Sequence, residues 1–166
     1  MARKLLPTYL QNYPKLVATL TIITYIHPMF DHCLYFNTSA LARVLEREWT
    51  KAFKPFGMTP PQAFMLRVIL EKPGLLQNEL ARELAISRPT ATRTLDGLQT
   101  MGMVERRPTL ADGREYAIYP TAAAQELKDA LNAASAVVTQ RLKKDLGAQH
   151  FKETVEKVRS ARNSLT

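Results

Sequence analysis

The segment from Leu75 to Pro120 constrains this chain more than any other. It reads LLQNELARELAISRPTATRTLDGLQTMGMVERRPTLADGREYAIYP. Leu76, Leu80, Ala81 and Leu84 recur at helical spacing, with Gln77, Asn78, Arg82 and Glu83 on the opposite face. The pattern stops at Ala85-Ile86-Ser87, and Ser87 is suited to cap a second helix, because its hydroxyl accepts from an orphan backbone N–H. Pro89 then falls in a first turn that needs no intrahelical N–H. Ala91, Leu95 and Leu98 form the inward stripe of that helix, and Gly102 is placed to end it. Pro89, Thr90, Arg93, Asp96, Gly97 and Thr100 face outward, with Thr92 and Thr94 on the flanks.

Two strand-like runs follow, Val104 to Pro108 and Tyr116 to Pro120. The polar loop between them carries the turn residues Asp112 and Gly113 and a long cation, Arg114. A helix pair joined by a tight turn (about 76–101) and then a hairpin (about 104–120) is the order of a helix-turn-helix with a β-wing. The outward face of the second helix is small, polar and arginine-bearing, whereas a solvated helix usually carries Lys/Glu pairs. Small hydroxyl residues permit close approach to DNA, and Arg can take guanine bidentately. The expected major-groove residues are therefore Ser87, Arg88, Pro89, Thr90, Thr92 and Arg93, with Arg114 at the minor groove. The same pattern is compatible with an αα-hairpin that packs for stability alone. It is also compatible with a winged helix used as an architectural or protein-interaction module without sequence preference.

Length and charge agree with a DNA-binding domain. A chain of 166 residues with 46% hydrophobic content can close one core. Its net charge of +8 favours an anionic partner. Residues 1–30 contribute +3 of this through Arg3, Lys4 and Lys15, with no acid. One cysteine excludes an intrachain disulfide framework, and with no secretory signal the expected compartment is the cytoplasm. The longest uncharged run in the first thirty residues, Leu16 to Phe30, is shorter than the roughly 20 apolar residues of a membrane span. No catalytic constellation, metal set or cofactor motif emerges: His27, His32 and His150 do not pair, and Ser87 is explained by its cap role. The expectation is a protein that is not an enzyme.

The flanks read as helical scaffold. Leu41, Val44, Leu45, Trp49, Ala52 and Phe53 follow helical spacing, and Lys54-Pro55-Phe56-Gly57 ends that helix. Pro60 and Pro61 open the next, through Phe64, Met65, Val68 and Ile69. Thr121 is placed to cap a long helix through Leu127, Leu131, Ala134, Val138 and Leu142, broken at Gly147. A last helix over His150 to Ala161 is expected to turn Phe151, Val155 and Val158 inward.

From about Asp31 onward the chain resembles the MarR family of transcriptional regulators. The resemblance rests on PPQAFMLRVILEKPGLLQNELARELAISRPTATRTLDGLQTMGMVERR and on ADGREYAIYPTAAA. Asp112 and Arg114 match the family's Asp-x-Arg wing, and Thr90, Thr92 and Arg93 match its Thr-x-Thr-Arg run. The Gly that usually follows the wing is missing from Tyr119-Pro120-Thr121-Ala122-Ala123-Ala124. The resemblance implies a mainly α, winged helix-turn-helix fold with a two-stranded wing, whose N- and C-terminal helices dimerise. It implies a homodimer on pseudo-palindromic operators, acting as a repressor released by a small aromatic or apolar ligand or by oxidation.

Cys33 is the candidate oxidation sensor, near the start of the first long helix, where the helix dipole favours a thiolate. The family's peroxide sensors place tyrosines where this chain has Asn37 and Arg47, so a small buried hydrophobe at the dimer interface is the competing reading. Trp49, Phe53, Phe56, Phe64 and Met65 are the candidate ligand-pocket residues, with ordinary core packing as their alternative. Residues 1–30 stand outside the resemblance and are read as an extension, with Met29 as an alternative start.

Overall fold

The structure is a computed structural model, and it describes residues 28–109 and 115–165. The chain divides into two compact units, one up to Val44 and one from Leu45. The extension's residues 1–27 lie outside the described residues.

In the first unit a 3-10 turn, Pro28–Phe30, leads into the helix α1, Leu34–Phe53, which continues into the second unit. The start of α1 is held by local bonds. The Asn37 amide donates to the carbonyls of Phe30 (3.1 Å), Asp31 (3.0 Å) and Cys33 (2.9 Å). Phe30 and Phe36 stack at 5.1 Å between ring centroids.

In the second unit α1 ends at a 3-10 turn, Lys54–Phe56. Helix α2, Pro60–Glu71, starts behind Thr59, whose N–H and O–H both donate to Gln62 Oε1 at 2.9 and 3.0 Å. Then come strand β1 (Leu75–Leu76), helix α3 (Gln77–Glu83) and helix α4 (Arg88–Thr100). Strands β2 (Val104–Pro108) and β3 (Tyr116–Pro120) follow, and then helices α5 (Ala122–Leu146) and α6 (Ala148–Leu165). Glu79 reaches back to the Leu76 N–H at 2.8 Å, the same N-terminal device that Gln62 provides in α2.

The sheet is antiparallel with order β1-β3-β2. The expected two-stranded wing is present with the expected bounds as β2 and β3, and a third strand, β1, joins the sheet on the other side of β3. The helical spacing places Leu76 in the first helix of the pair and leaves Leu75 just before it. Instead they pair with Ile118 and Ala117, and the helix begins at Gln77. Two residues are too few for an alternating pattern to mark a strand.

The core lies where α2, α3, α4, β3 and α5 meet. Leu66, Ile69, Leu80, Leu95, Leu98, Ile118 and Leu131 are all fully buried there. Each such side chain contributes about 1.5–3 kcal/mol of transfer free energy. Ser87 caps α4 and Thr121 caps α5, both as the sequence led one to expect. Gly102 ends α4 at φ 69°, with its N–H on Gln99 O and that of Met103 on Leu98 O, a Schellman closure. Helix α3 closes the same way, but the left-handed position is held by Ala85 at φ 51°.

The last helix departs from expectation. Val155 and Val158 were expected to face inward, yet they are 49% and 50% exposed. Only Phe151 is half-buried, with Lys143 above its ring at 5.8 Å.

Candidate nucleic-acid interface

Helix α4 is fixed from within and from its start. Ala91, Leu95 and Leu98 are buried to 0% exposure and leave the opposite face to solvent. At the N-terminus Ser87 Oγ accepts from the Thr90 N–H at 3.4 Å and shares a bond with Thr90 Oγ1 at 2.9 Å. Arg88, Pro89 and Arg93 are exposed, and Thr90 and Thr92 are half-buried beside them. The six residues expected at a major groove therefore share the first turns of one helix.

The basic groups of this face have no acidic partner among the described residues. Lys51, Lys72, Arg82, Arg106, Arg107, Lys128 and Arg141 all stand in ion pairs. Neither Arg88 nor Arg93 has an ion pair among the described residues. Two uncompensated guanidinium groups at a capped helix N-terminus form a local positive field suited to phosphate or to base-edge acceptors.

The wing is tied to this helix. Arg106 on β2 donates to Asp96 on α4 at 2.5 Å, and Arg107 lies over the Tyr119 ring at 4.3 Å while pairing with Glu105. The Thr109 N–H donates to Glu115 O at 3.0 Å where the strands approach the turn. Asp112, Gly113 and Arg114 lie outside the described residues. An open cleft of about 600 Å³ separates helix from wing, lined by Gln77, Asn78, Arg88, Thr92, Arg106 and Tyr116 among others. Asn78 Oδ1 is buried there without a hydrogen-bond partner among the described residues. The sequence sets Gln77 on the polar face of the first helix and gives Arg106 no role beyond its strand, because their partners, fifteen and ten residues away, are set by tertiary packing.

The aromatic cluster is packing for the most part. Phe53 and Met65 are fully buried, and Trp49 and Phe56 are half-buried against the core. The Phe64 ring meets Trp49 at 6.0 Å and Phe53 edge-on at 5.7 Å. Phe64 also lines an open groove of about 340 Å³ whose other walls include Arg67, Val68, Glu71 and Asn132. Arg67 donates to Asn132 Oδ1 (2.8 Å) and Ser135 Oγ (3.0 Å), and Trp49 Nε1 donates to the same buried hydroxyl at 3.3 Å. Burial lowers the Arg67 pKa from its usual value, and the charge of Glu71 opposes that.

Cys33 precedes α1 and its Sγ accepts from the Phe36 N–H at 3.5 Å, an N-cap geometry. It is half-exposed in the single chain. Among the described residues no group of three or more His, Cys, Asp and Glu is arranged to hold a metal. No helix there is long and apolar enough to cross a membrane.

A sequence profile of the MarR family matches residues 56–115, the span from the start of α2 to the wing. The HTH-type transcriptional repressor Rv2887 of Mycobacterium tuberculosis is 30% identical over 120 residues, covering 70% of this chain and 86% of that protein. The chain belongs to the MarR family. Solved MarR-type structures share its fold. The MepR–DNA complex of Staphylococcus aureus superposes with a TM-score of 0.71 at 19% identity, over 79% of this chain and 97% of that one. Reduced AbfR bound to DNA gives 0.69 at 23% identity, over 82% and 94%. At these identities the likeness concerns the fold, a MarR winged helix built on this sequence's own caps and core.

Proposed function

We propose that this MarR-family protein is a sequence-specific DNA-binding transcriptional repressor that acts as a homodimer on a pseudo-palindromic operator. The observation that carries the reading is the pair of arginines, Arg88 and Arg93, without an ion pair among the described residues, on the exposed face of a capped helix whose other face is closed into the core. The similarity to a mycobacterial repressor and the DNA-bound MepR and AbfR structures support it. Ser87, Arg88, Pro89, Thr90, Thr92 and Arg93 enter the major groove, and Arg114 reaches the minor groove. One helix makes too few base contacts for strong selection, so two copies about 34–36 Å apart read the palindrome. The exposed apolar residues of α6 and of the first turns of α1 belong to the dimer interface.

Release is a shift between dimer geometries, caused by a small aromatic or apolar ligand or by oxidation of Cys33. The partial exposure of Cys33 supports access by an oxidant. An organic hydroperoxide should dissociate the wild-type complex and leave Cys33→Ser bound; equal dissociation of both removes the cysteine from the mechanism. The function itself is tested by titrating the protein against DNA from upstream of its own gene and against a shuffled control at fixed salt. Native DNA should bind at least about 10³-fold tighter. Equal, steeply salt-dependent binding to both would leave only phosphate attraction.

A further inference from the structure

The hydroxyls of the recognition helix are engaged within the protein. Thr92 Oγ1 donates to Arg88 O at 3.0 Å, Thr94 Oγ1 to Thr90 O at 2.9 Å, and Thr100 Oγ1 to Asp96 O at 2.9 Å. A threonine hydroxyl has one proton and two lone pairs. Once that proton lies on the i−4 carbonyl, the residue has no donor to offer a base. Thr92 is constrained further, because Gln77 Nε2, from the first residue of α3, donates to Thr92 Oγ1 at 2.6 Å. One lone pair is thereby filled and the side chain is held from a second helix. What remains for DNA is the methyl group and one acceptor.

We propose that Gln77 is a specificity-determining positioning residue, which holds Thr92 so that this position reads a thymine methyl instead of donating a hydrogen bond. The inference rests on the DNA-reading role proposed above and deepens it. In the major groove only thymine carries a C5-methyl, and a threonine methyl is an apolar surface that contacts it. Guanine O6 and N7, adenine N7 and thymine O4 all require a donor, which a Thr92 held in this way lacks. Gln77 also borders the cleft between α4 and the wing, so a direct bond from its amide to a phosphate is the competing role.

The two roles separate in a selection from randomised operator DNA, followed by titration of the selected site and single-base variants. The proteins are wild type, Thr92→Val, Thr92→Ser, Gln77→Ala and the Gln77→Ala/Thr92→Val double variant, with thermal melts to check folding. Thr92→Val keeps the methyl and should keep the thymine preference. Thr92→Ser loses the methyl and should lose about tenfold or more in discrimination at one base pair. Gln77→Ala should lose discrimination at that same base pair, with its salt slope unchanged, and should add nothing in the Val background, where there is no hydroxyl to hold. Uniform weakening on every sequence by Gln77→Ala, repeated in the Val background, would make Gln77 a phosphate contact and overturn the proposal. Loss of preference in Thr92→Val would overturn it too, by showing that the hydroxyl reads the base. A wild type that selects no sequence would overturn the DNA-reading role itself, and this inference with it.

Discussion

The winged-helix core and the last helix, α6, carry apolar stripes of comparable regularity but treat them differently. Leu80 of α3 and Leu95 and Leu98 of α4 are at 0% exposure, closed off by α2, β3 and α5 of the same chain. Val155 and Val158 of α6 lie half in solvent, as do Val137 and Leu146 of α5 and, within the first unit, Leu41 and Val44 of α1. Periodicity fixes that a face is apolar and does not fix which chain covers it. The middle of this protein completes its own core. Its terminal helices present faces that a second copy would complete, as in the proposed dimer.

The largest effect should come from breaking the closed region. Leu95→Ala removes a fully buried side chain and should cost about 2–5 kcal/mol in urea unfolding. The open region should answer differently. Val155→Asp with Val158→Asp should leave each protomer folded but weaken self-association at least about 100-fold by sedimentation, since a charge within an apolar interface costs several kcal/mol. A variant that remains dimeric would place the interface elsewhere. Relieving the left-handed alanine by Ala85→Gly should raise stability by about 0.5–1 kcal/mol, a gain visible in the melting temperature. The Arg106–Asp96 link is part-exposed, so its loss in Asp96→Ala should cost no more than about 1 kcal/mol of stability while loosening the wing, read as weaker operator binding.

The smallest effect concerns pH. Arg141 first, and Lys51 second, hold the Glu48 carboxyl below its ordinary value of 4.5. Because that pKa is depressed, the contribution is present above pH 4.5 and fades as pH falls through the folded-state value. Glu48→Gln should flatten the acid limb of the stability profile.

The same comparison explains what the sequence made legible. Caps and turns are local chemistry, so Ser87, Gly102 and Thr121 and the hairpin bounds could be read from neighbouring residues alone. The exposed α4 residues followed from where Ala91, Leu95 and Leu98 point. Strand β1 could not be read this way, because Leu75-Leu76 becomes a strand only when β3 lies beside it. Burial of the aromatic cluster, the hold of Gln77 on Thr92 and the exposure of Val155 depend on partners distant in sequence or on another chain.

The central claim is that two recognition helices, held at a fixed separation by the dimer, read two half-sites on one face of DNA. It is tested most directly by inserting five base pairs between the half-sites of the selected operator and titrating the protein against both sites at fixed salt. The insertion turns one half-site to the opposite face, about half a helical turn away. Affinity should fall to that of shuffled DNA. Unchanged affinity would contradict the account, because each half-site would then be read by an independent chain.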